Sequence, residues 1–232
     1  VVGRFVGKEA LAAVGGSVNQ IVNLVVEVFV GLTSGASVIV AQFYGAKDKK
    51  NLNKTLHTSY AFGIVTGFVV AVVGLLVTNT VLELMKTPQE LMADSRLYLH
   101  IYFCGMIFNI IYNMGASILR AVGDSRRPLY VLMVTCGLNI VLDILLVVIF
   151  RLGVMGVAIA TVSCQGISSI LVTAMLMKEH PLFQLKLREI RFYRVSLSSV
   201  VRVGIRGAVE AGLYALGGGG GGVGGCGGGG GG

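Results

Sequence analysis

The sequence predicts an all-α membrane protein, a polytopic helical bundle of five clear transmembrane helices with partial ones flanking them. Three observations carry this. Of 232 residues, 54% are hydrophobic and only 13% charged, with a mean hydropathy of +0.81, whereas a soluble domain carries about a quarter charged residues. Five apolar runs reach the roughly 20 residues that a helix needs to cross the hydrocarbon. The basic residues gather in alternate links between those runs. The apolar content is also far above that of a disordered chain.

The runs are, in order, Val18–Phe43, Thr58–Leu82, Tyr98–Leu119, Pro128–Phe150 and Val154–Met177. A sixth, Leu197–Leu216, is apolar but holds Arg202, Arg206 and Glu210. Val1–Arg4 reads as the end of another hydrophobic element, and no secretory signal pattern opens the chain. Residues 217–232 are glycine interrupted only by Val223 and Cys226. Glycine costs about 1 kcal/mol per helical residue relative to alanine, so this tail is expected to be disordered or artificial.

The links fix an orientation. Those at 44–57, 120–127 and 178–206 hold 14 of the 19 Lys and Arg residues; Arg4, Lys8, Lys86, Arg96 and Arg151 are the remainder. The positive-inside rule places the richer links in the cytoplasm of a cell-membrane protein. The same division argues against nucleic acid as a partner, because the basic groups are separated by membrane-length runs and share no face. Cys104, Cys136 and Cys164 lie within apolar runs and behave as small hydrophobes. His57, His100 and His180 are scattered and read as interfacial side chains. No metal-binding cysteine–histidine pattern and no nucleophile–base pair stands at membrane depth, so no cofactor and no enzyme is expected.

Within the runs, polar residues recur every three or four positions, which places each set on one helix face. The first run carries Asn19, Asn23, Glu27 and Ser34; the third carries Asn109, Asn113 and Ser117. The fourth carries Thr135, Asn139 and Asp143, and the fifth Thr161, Gln165 and Ser168. Such residues can simply join helices through hydrogen bonds, which explains Ser117 and Ser168 well. Ionisable groups in hydrocarbon are costly and mark functional positions by default, which singles out Glu27 and Asp143. Four polar stripes converging on a wet interior is the reading that uses both facts. The second run lacks charge, and its Gly63–Gly67 pair reads as a close helix contact.

Depth sharpens the assignment. The fourth and fifth runs form a hairpin turning at Arg151-Leu152-Gly153, with Asp143 nine residues before Leu152 and Thr161 nine after it. Antiparallel helices joined so tightly bring both to one level in the outer half of the bilayer, with Asn139 one turn deeper. An acid, an amide and a hydroxyl can gather around one small cation such as Na⁺, or hold one exchangeable proton, since hard cations prefer oxygen ligands. Burial disfavours the carboxylate and a bound cation favours it, so cation and proton compete.

These residues resemble the multidrug and toxic compound extrusion (MATE) transporter family. The resemblance runs through Val2-Gly3-Arg4-Phe5-Val6-Gly7 and Ala10–Gly15, then Gly31-Leu32, Gly35, Val40-Ala41-Gln42 and Gly45-Ala46. It continues through Arg120–Asp124 ahead of Pro128, Asn139–Asp143, and Gly153–Thr161. It implies a transporter of twelve helices in two six-helix lobes, exporting organic cations and drugs in exchange for H⁺ or Na⁺. In this family the first lobe's cation site uses an acid and an Asn on the fifth helix and a Thr on the sixth. Those roles fall here on Asp143, Asn139 and Thr161. Asn113 matches a fourth-helix Asn near the site, and Asn109, Glu27, Asn23 and Gln165 are candidates to line the substrate cavity.

On this resemblance residues 1–195 are a partial N-terminal lobe ending in a basic cytoplasmic link, and 196–216 begin a seventh helix. Gly204-Ile205-Arg206 stands where the family has Gly-hydrophobic-Pro, and an acid expected before Val2 falls outside the sequence. The implied partners are the lipid bilayer, small cationic or amphiphilic substrates and a second lobe needed for transport. A lipid-linked oligosaccharide flippase of the same superfamily would need Arg or Lys inside its cavity, and the five clear runs have none in their interiors. A non-transporting structural bundle would show no response to cations.

Overall fold

The computed structural model describes residues 17–84, 87–178, 185, 190 and 193–217. The Val2–Gly15 segment of the family resemblance, His180, most of the basic link after Met177 and the glycine tail lie outside the described residues, as do the side chains of Asn19, Glu27 and Glu210. Among the described residues the chain is helical throughout: α1 (Ser17–Gly45), α2 (Lys49–Leu84), α3 (Gln89–Ala121), α4 (Arg126–Asp143), α5 (Gly153–Met177) and α6 (Arg194–Gly217). A π-helical segment, Ile144–Ile149, prolongs α4. Helices α1 to α5 are long and apolar enough to cross a membrane.

The helices outrun the apolar segments, and three expected links shrink accordingly. At 36 residues, α2 is about 54 Å long, against a hydrocarbon thickness of about 30 Å. Its first turns carry Lys49, Lys50 and Lys54, so most of the expected link at 44–57 is helix, and the true turn is Ala46–Asp48. Likewise α3 begins at Gln89, well before Tyr98, and α6 at Arg194, inside the expected basic link. Polar residues with good helix propensity continue a helix beyond the bilayer, and hydropathy alone does not mark where it stops.

The turns have identifiable causes. Lys47 has a left-handed φ of 55°, and Asp48 then caps α2 by accepting from the Asn51 backbone N–H at 3.1 Å and its side-chain amide at 2.7 Å. These bonds hold the Asp48 carboxyl below its ordinary range. At the end of α3, Gly123 (φ 92°) donates to the Arg120 carbonyl and Asp124 to that of Leu119, both at 3.0 Å. This is the glycine-dependent helix stop. Asp124 then accepts from the Arg126 and Arg127 backbones and pairs with the Arg127 side chain at 2.9 Å, opening α4.

Helix α3 is the hub, packed against α1, α2 and α5, while α4 rests mainly on α5 and α6 on α1. Two apolar clusters fill the interior. One centres on Leu56, Tyr60, Met114, Ile118, Val172 and Leu176. The other, toward the α4–α5 turn, centres on Leu99, Tyr102, Phe103, Met106, Val154 and Ala158. The outer faces of α2 and α4 expose Phe68, Val69, Val73, Leu76, Met133, Val134 and Val141, as helices bordering lipid do. Val70 is only half-buried and packs against the second cluster.

Glycines set the tightest crossings. A Cβ on Gly67 would lie 2.9 Å from the Ile107 Cα, so the expected Gly63–Gly67 contact is made, against α3. A closer one joins α1 and α6, where a Cβ on Gly204 would lie 2.7 Å from the Leu32 carbonyl oxygen. His57, expected at an interface, is instead buried in the protein and pairs through Nδ1 with the Asn53 carbonyl at 2.8 Å.

Candidate functional site

The π-helical segment begins directly after Asp143. Phe150 donates to the Leu145 carbonyl at 3.0 Å, five residues back, and Leu152 to that of Leu146 at 3.0 Å. Arg151 and Gly153, at φ 55° and 56°, reverse the chain into α5. Gly156 lets the α5 backbone press on this segment: a Cβ there would lie 3.2 Å from the Leu146 carbonyl. The hairpin expected from Arg151-Leu152-Gly153 therefore forms, tightly, with Asp143 at the junction of two helix types. Such π segments are frequent at functional sites.

The carboxylate faces α3 and α5. Tyr98 on α3 lies near the Thr161 hydroxyl on α5 and close enough to Asp143 to feel its charge. Thr161 Oγ1 also donates to the Val157 carbonyl at 3.0 Å. One turn deeper, Tyr102 lies near the Gln165 amide, and Asn139 near the Cys164 sulfur. The Tyr98 and Tyr102 rings stack with centroids 6.1 Å apart and planes 11° apart. Three helices thus each contribute polar groups at two successive levels, Asp143–Thr161–Tyr98 and Asn139–Gln165–Tyr102.

Two atoms in this cluster are buried without a hydrogen-bond partner: Asp143 Oδ1 and Gln165 Oε1. A buried acceptor left unpaired costs about 1–3 kcal/mol, and more when charged. The cluster is therefore incomplete as a purely structural network, and its free valences are acceptors. It can take a proton or a hard cation. Among the described residues no group of three His, Cys, Asp or Glu side chains could hold a metal, so the chemistry on offer is one carboxylate with neutral oxygens.

Asp143, Asn139 and Thr161 are brought together on facing helices. Gln165, expected to line a substrate cavity, belongs to the same cluster. Tyr98 and Tyr102 were not among the expected residues; their four-residue spacing was the available signal, masked because tyrosine at a helix end also reads as an interfacial anchor. Asn109 and Asn113 stand apart and bond to each other: Asn113 Nδ2 donates to the Asn109 carbonyl and to its Oδ1, both at 2.9 Å. Asn23 is exposed on α1. Thr135 and Ser168 bond back to their own helices, so Ser168 does not join helices as expected. Ser117 does, donating to the Thr33 carbonyl of α1 at 3.3 Å.

A groove of about 350 Å³ runs between α1 and the end of α3, lined by Thr33, Ser34, Ser37, Ser117 and Arg120 among others. Ser34 and Ser117 belong to the polar stripes of their helices. The hydroxyls of Thr33, Ser34 and Ser37 turn back onto α1 carbonyls, leaving a mildly polar wall.

A multi-pass helical bundle with a carboxylate-centred cluster at membrane depth has the architecture of one lobe of a membrane transporter. The chain belongs to the MatE family, whose model matches residues 1–145. It is 34% identical over 222 residues to the probable multidrug resistance protein YoeA of Bacillus subtilis (strain 168), covering 93% of this chain and 48% of that protein. Its fold is similar to a multidrug resistance MATE family transporter of the MOP superfamily in an inward-facing conformation (TM-score 0.82, 25% identity). That match covers 90% of this chain and 47% of the other. An outward-facing conformation is similar too (TM-score 0.79, 26% identity, 91% and 46% covered). The chain spans about half the length of the curated relatives it matches.

Proposed function

We propose that this chain forms the ion-binding lobe of a cation-coupled antiporter that exports organic cations and drugs across the cell membrane, exchanging them for H⁺ or Na⁺. The observation that carries the reading is Asp143 Oδ1, a carboxylate oxygen buried at membrane depth with no hydrogen-bond donor, on a helix facing the hydroxyl of Thr161. Asp143 takes the coupling ion, and Asn139 and Thr161 support it. The naming of YoeA as a probable multidrug resistance protein supports the substrate class.

Substrate would meet the polar faces that carry Asn23, Glu27, Asn109 and Asn113. The lobe works against a second one, since alternating access in such folds is rocking of one repeat against another. The near-equal likeness to inward- and outward-facing structures supports a lobe that moves as a body. Asp143 then lies toward the outer leaflet, with the basic residues of 44–57, 120–127 and 178–206 in the cytoplasm. The test is drug efflux from vesicles containing a full-length transporter with this chain as its first half. Collapsing the driving H⁺ or Na⁺ gradient should stop efflux; efflux that continues with both gradients collapsed contradicts the coupling.

A further inference from the structure

The groove between α1 and the end of α3 has no part in the ion cluster, and its two walls are chemically unlike. On α1, Thr33, Ser34 and Ser37 turn their hydroxyl hydrogens onto the carbonyls of Val30 at 2.9 Å, Gly31 at 2.6 Å and Ser34 at 2.7 Å. On α3, Ser117 does the same toward Met114 at 2.9 Å and, across the helix contact, toward Thr33 at 3.3 Å. A hydroxyl that is already donating keeps only its lone pairs. Thr33 and Ser117 are 3% and 4% exposed, whereas Ser34 is exposed and Ser37 half-buried. Ser34 and Ser37 therefore present acceptors to the groove.

The other wall ends in Arg120, an exposed residue that lines the same space. Among the described residues no carboxylate pairs with it. Asp124, four positions on, pairs with Arg127 at 2.9 Å and accepts from the Arg126 and Arg127 backbones. Asp48, which opens α2, is engaged by Asn51. The Ser117–Thr33 bond sets the register of two helices that run the same way, so Ser34 stands level with Ser117 and Ser37 with Arg120. Along the groove, a rigid fork of N–H donors thus lies within about one helical turn, roughly 5.4 Å, of two acceptors. Val30 and Val38, 42% and 43% exposed, add apolar surface. A volume of about 350 Å³ suits a small organic molecule.

A carboxylate matches the guanidinium fork with two parallel hydrogen bonds, and an ammonium matches the hydroxyl lone pairs. Neither wall suits the opposite charge. A simple anion leaves the acceptors unmet, and a simple cation sits beside an uncancelled guanidinium. We propose that this groove binds a small amphiphilic zwitterion, with its carboxylate on Arg120, its ammonium on the Ser34 and Ser37 oxygens and its apolar body against Val30 and Val38. The proposal rests on the reading of the chain as half of an exporter and deepens it, adding carboxylate-bearing amines to the organic cations that this lobe takes up.

The test is thermal stabilisation of the purified full chain in detergent by three probes on one skeleton. These are para-(aminomethyl)benzoate, a zwitterion at neutral pH; its methyl ester, a cation; and para-methylbenzoate, an anion. The zwitterion should stabilise saturably, and the other two should half-saturate at concentrations at least about tenfold higher, a difference of about 1.4 kcal/mol. Arg120→Gln should bring zwitterion and ester together, and Arg120→Glu should reverse their order. Ser37→Ala should weaken the zwitterion and the ester and leave the anion unchanged. No stabilisation by the zwitterion, an ester that binds the wild type as tightly, or a preference that survives Arg120→Gln overturns the proposal. Anion binding equal to that of the zwitterion makes Arg120 an anion contact alone and overturns it too. If Arg120→Gln does not fold, unweakened zwitterion binding by Ser37→Ala overturns it independently. Binding is measured here rather than efflux, so failure of this site leaves the exporter reading standing. Gradient-independent efflux with the zwitterion preference intact overturns that reading and leaves the site.

Discussion

Tyr98 and Tyr102 stack one turn apart on α3, their rings 6.1 Å apart and within 11° of parallel, so their hydroxyls reach two successive levels of one polar cluster. The upper meets Thr161 beside Asp143 and the lower meets Gln165. Two roles, packing and the polar hydroxyl, can be separated by substitution. Tyr98→Phe keeps the stack and should cost no more than about 1 kcal/mol for the lost hydroxyl. Tyr98→Ala leaves a cavity and should cost about 3–5 kcal/mol. Chemical unfolding of the two variants in detergent checks this; equal losses would contradict it.

The π-helical segment after Asp143 carries one residue more than an α-helix would need to reach the turn. Deleting Val148 removes about 100° of α-helical turn, which relaxation of the wider π turns to α-helix should absorb, so that Asp143 keeps its direction relative to the α4–α5 turn. Helix content measured by circular dichroism should hold, and any cation-dependent stabilisation should survive. A deletion chain that loses that response would show that the carboxylate depends on the π segment itself.

The crossing of α1 and α6 tolerates no side chain. A Cβ on Gly207 would lie 2.6 Å from the Gly31 carbonyl oxygen and 2.8 Å from Ser34 Oγ. Gly207→Val should therefore destabilise the helix pair by about 1–3 kcal/mol or more, the range for overpacking. Denaturant unfolding measures the loss, and protease cleavage between α5 and α6 should accelerate in parallel.

Asp48 gives a pH signature outside the membrane. Its carboxyl lies below the ordinary value of 3.8 because the Asn51 backbone and side chain donate to the charged form. A lowered folded-state pKa contributes stability above the unfolded value, and the contribution is lost as pH falls through the folded one. Asp48→Ala should thus melt below the wild type at pH 7, with the gap closing as pH falls below the normal carboxyl range. A gap that persists unchanged in acid would mean that the cap acts without its charge.

Much of this was legible in the chain, and what was not has physical reasons. Period and hydropathy mark five membrane-crossing helices, because a bilayer forces long apolar runs. They miss where α2, α3 and α6 begin, since Lys49 and Gln89 are good helix formers in water. The Arg151-Leu152-Gly153 turn places Asp143 and Thr161 at one level by counting alone. Gln165 reads equally well as a cavity residue, because its partner Tyr102 lies 63 positions earlier and nothing local pairs them. The match of Gly31 and Gly35 to Gly207 and Gly204 is non-local in the same way. The π segment is silent in sequence, because Ile144-Leu145-Leu146-Val147-Val148-Ile149 suits an α-helix equally well.

The most direct measurement is drug efflux by a full-length transporter carrying this chain, compared between wild type and Asp143→Asn at matched membrane levels. Loss of efflux in Asp143→Asn, with partial activity in Asp143→Glu, is the result expected if this carboxylate carries the coupling ion. Undiminished efflux by Asp143→Asn would contradict it.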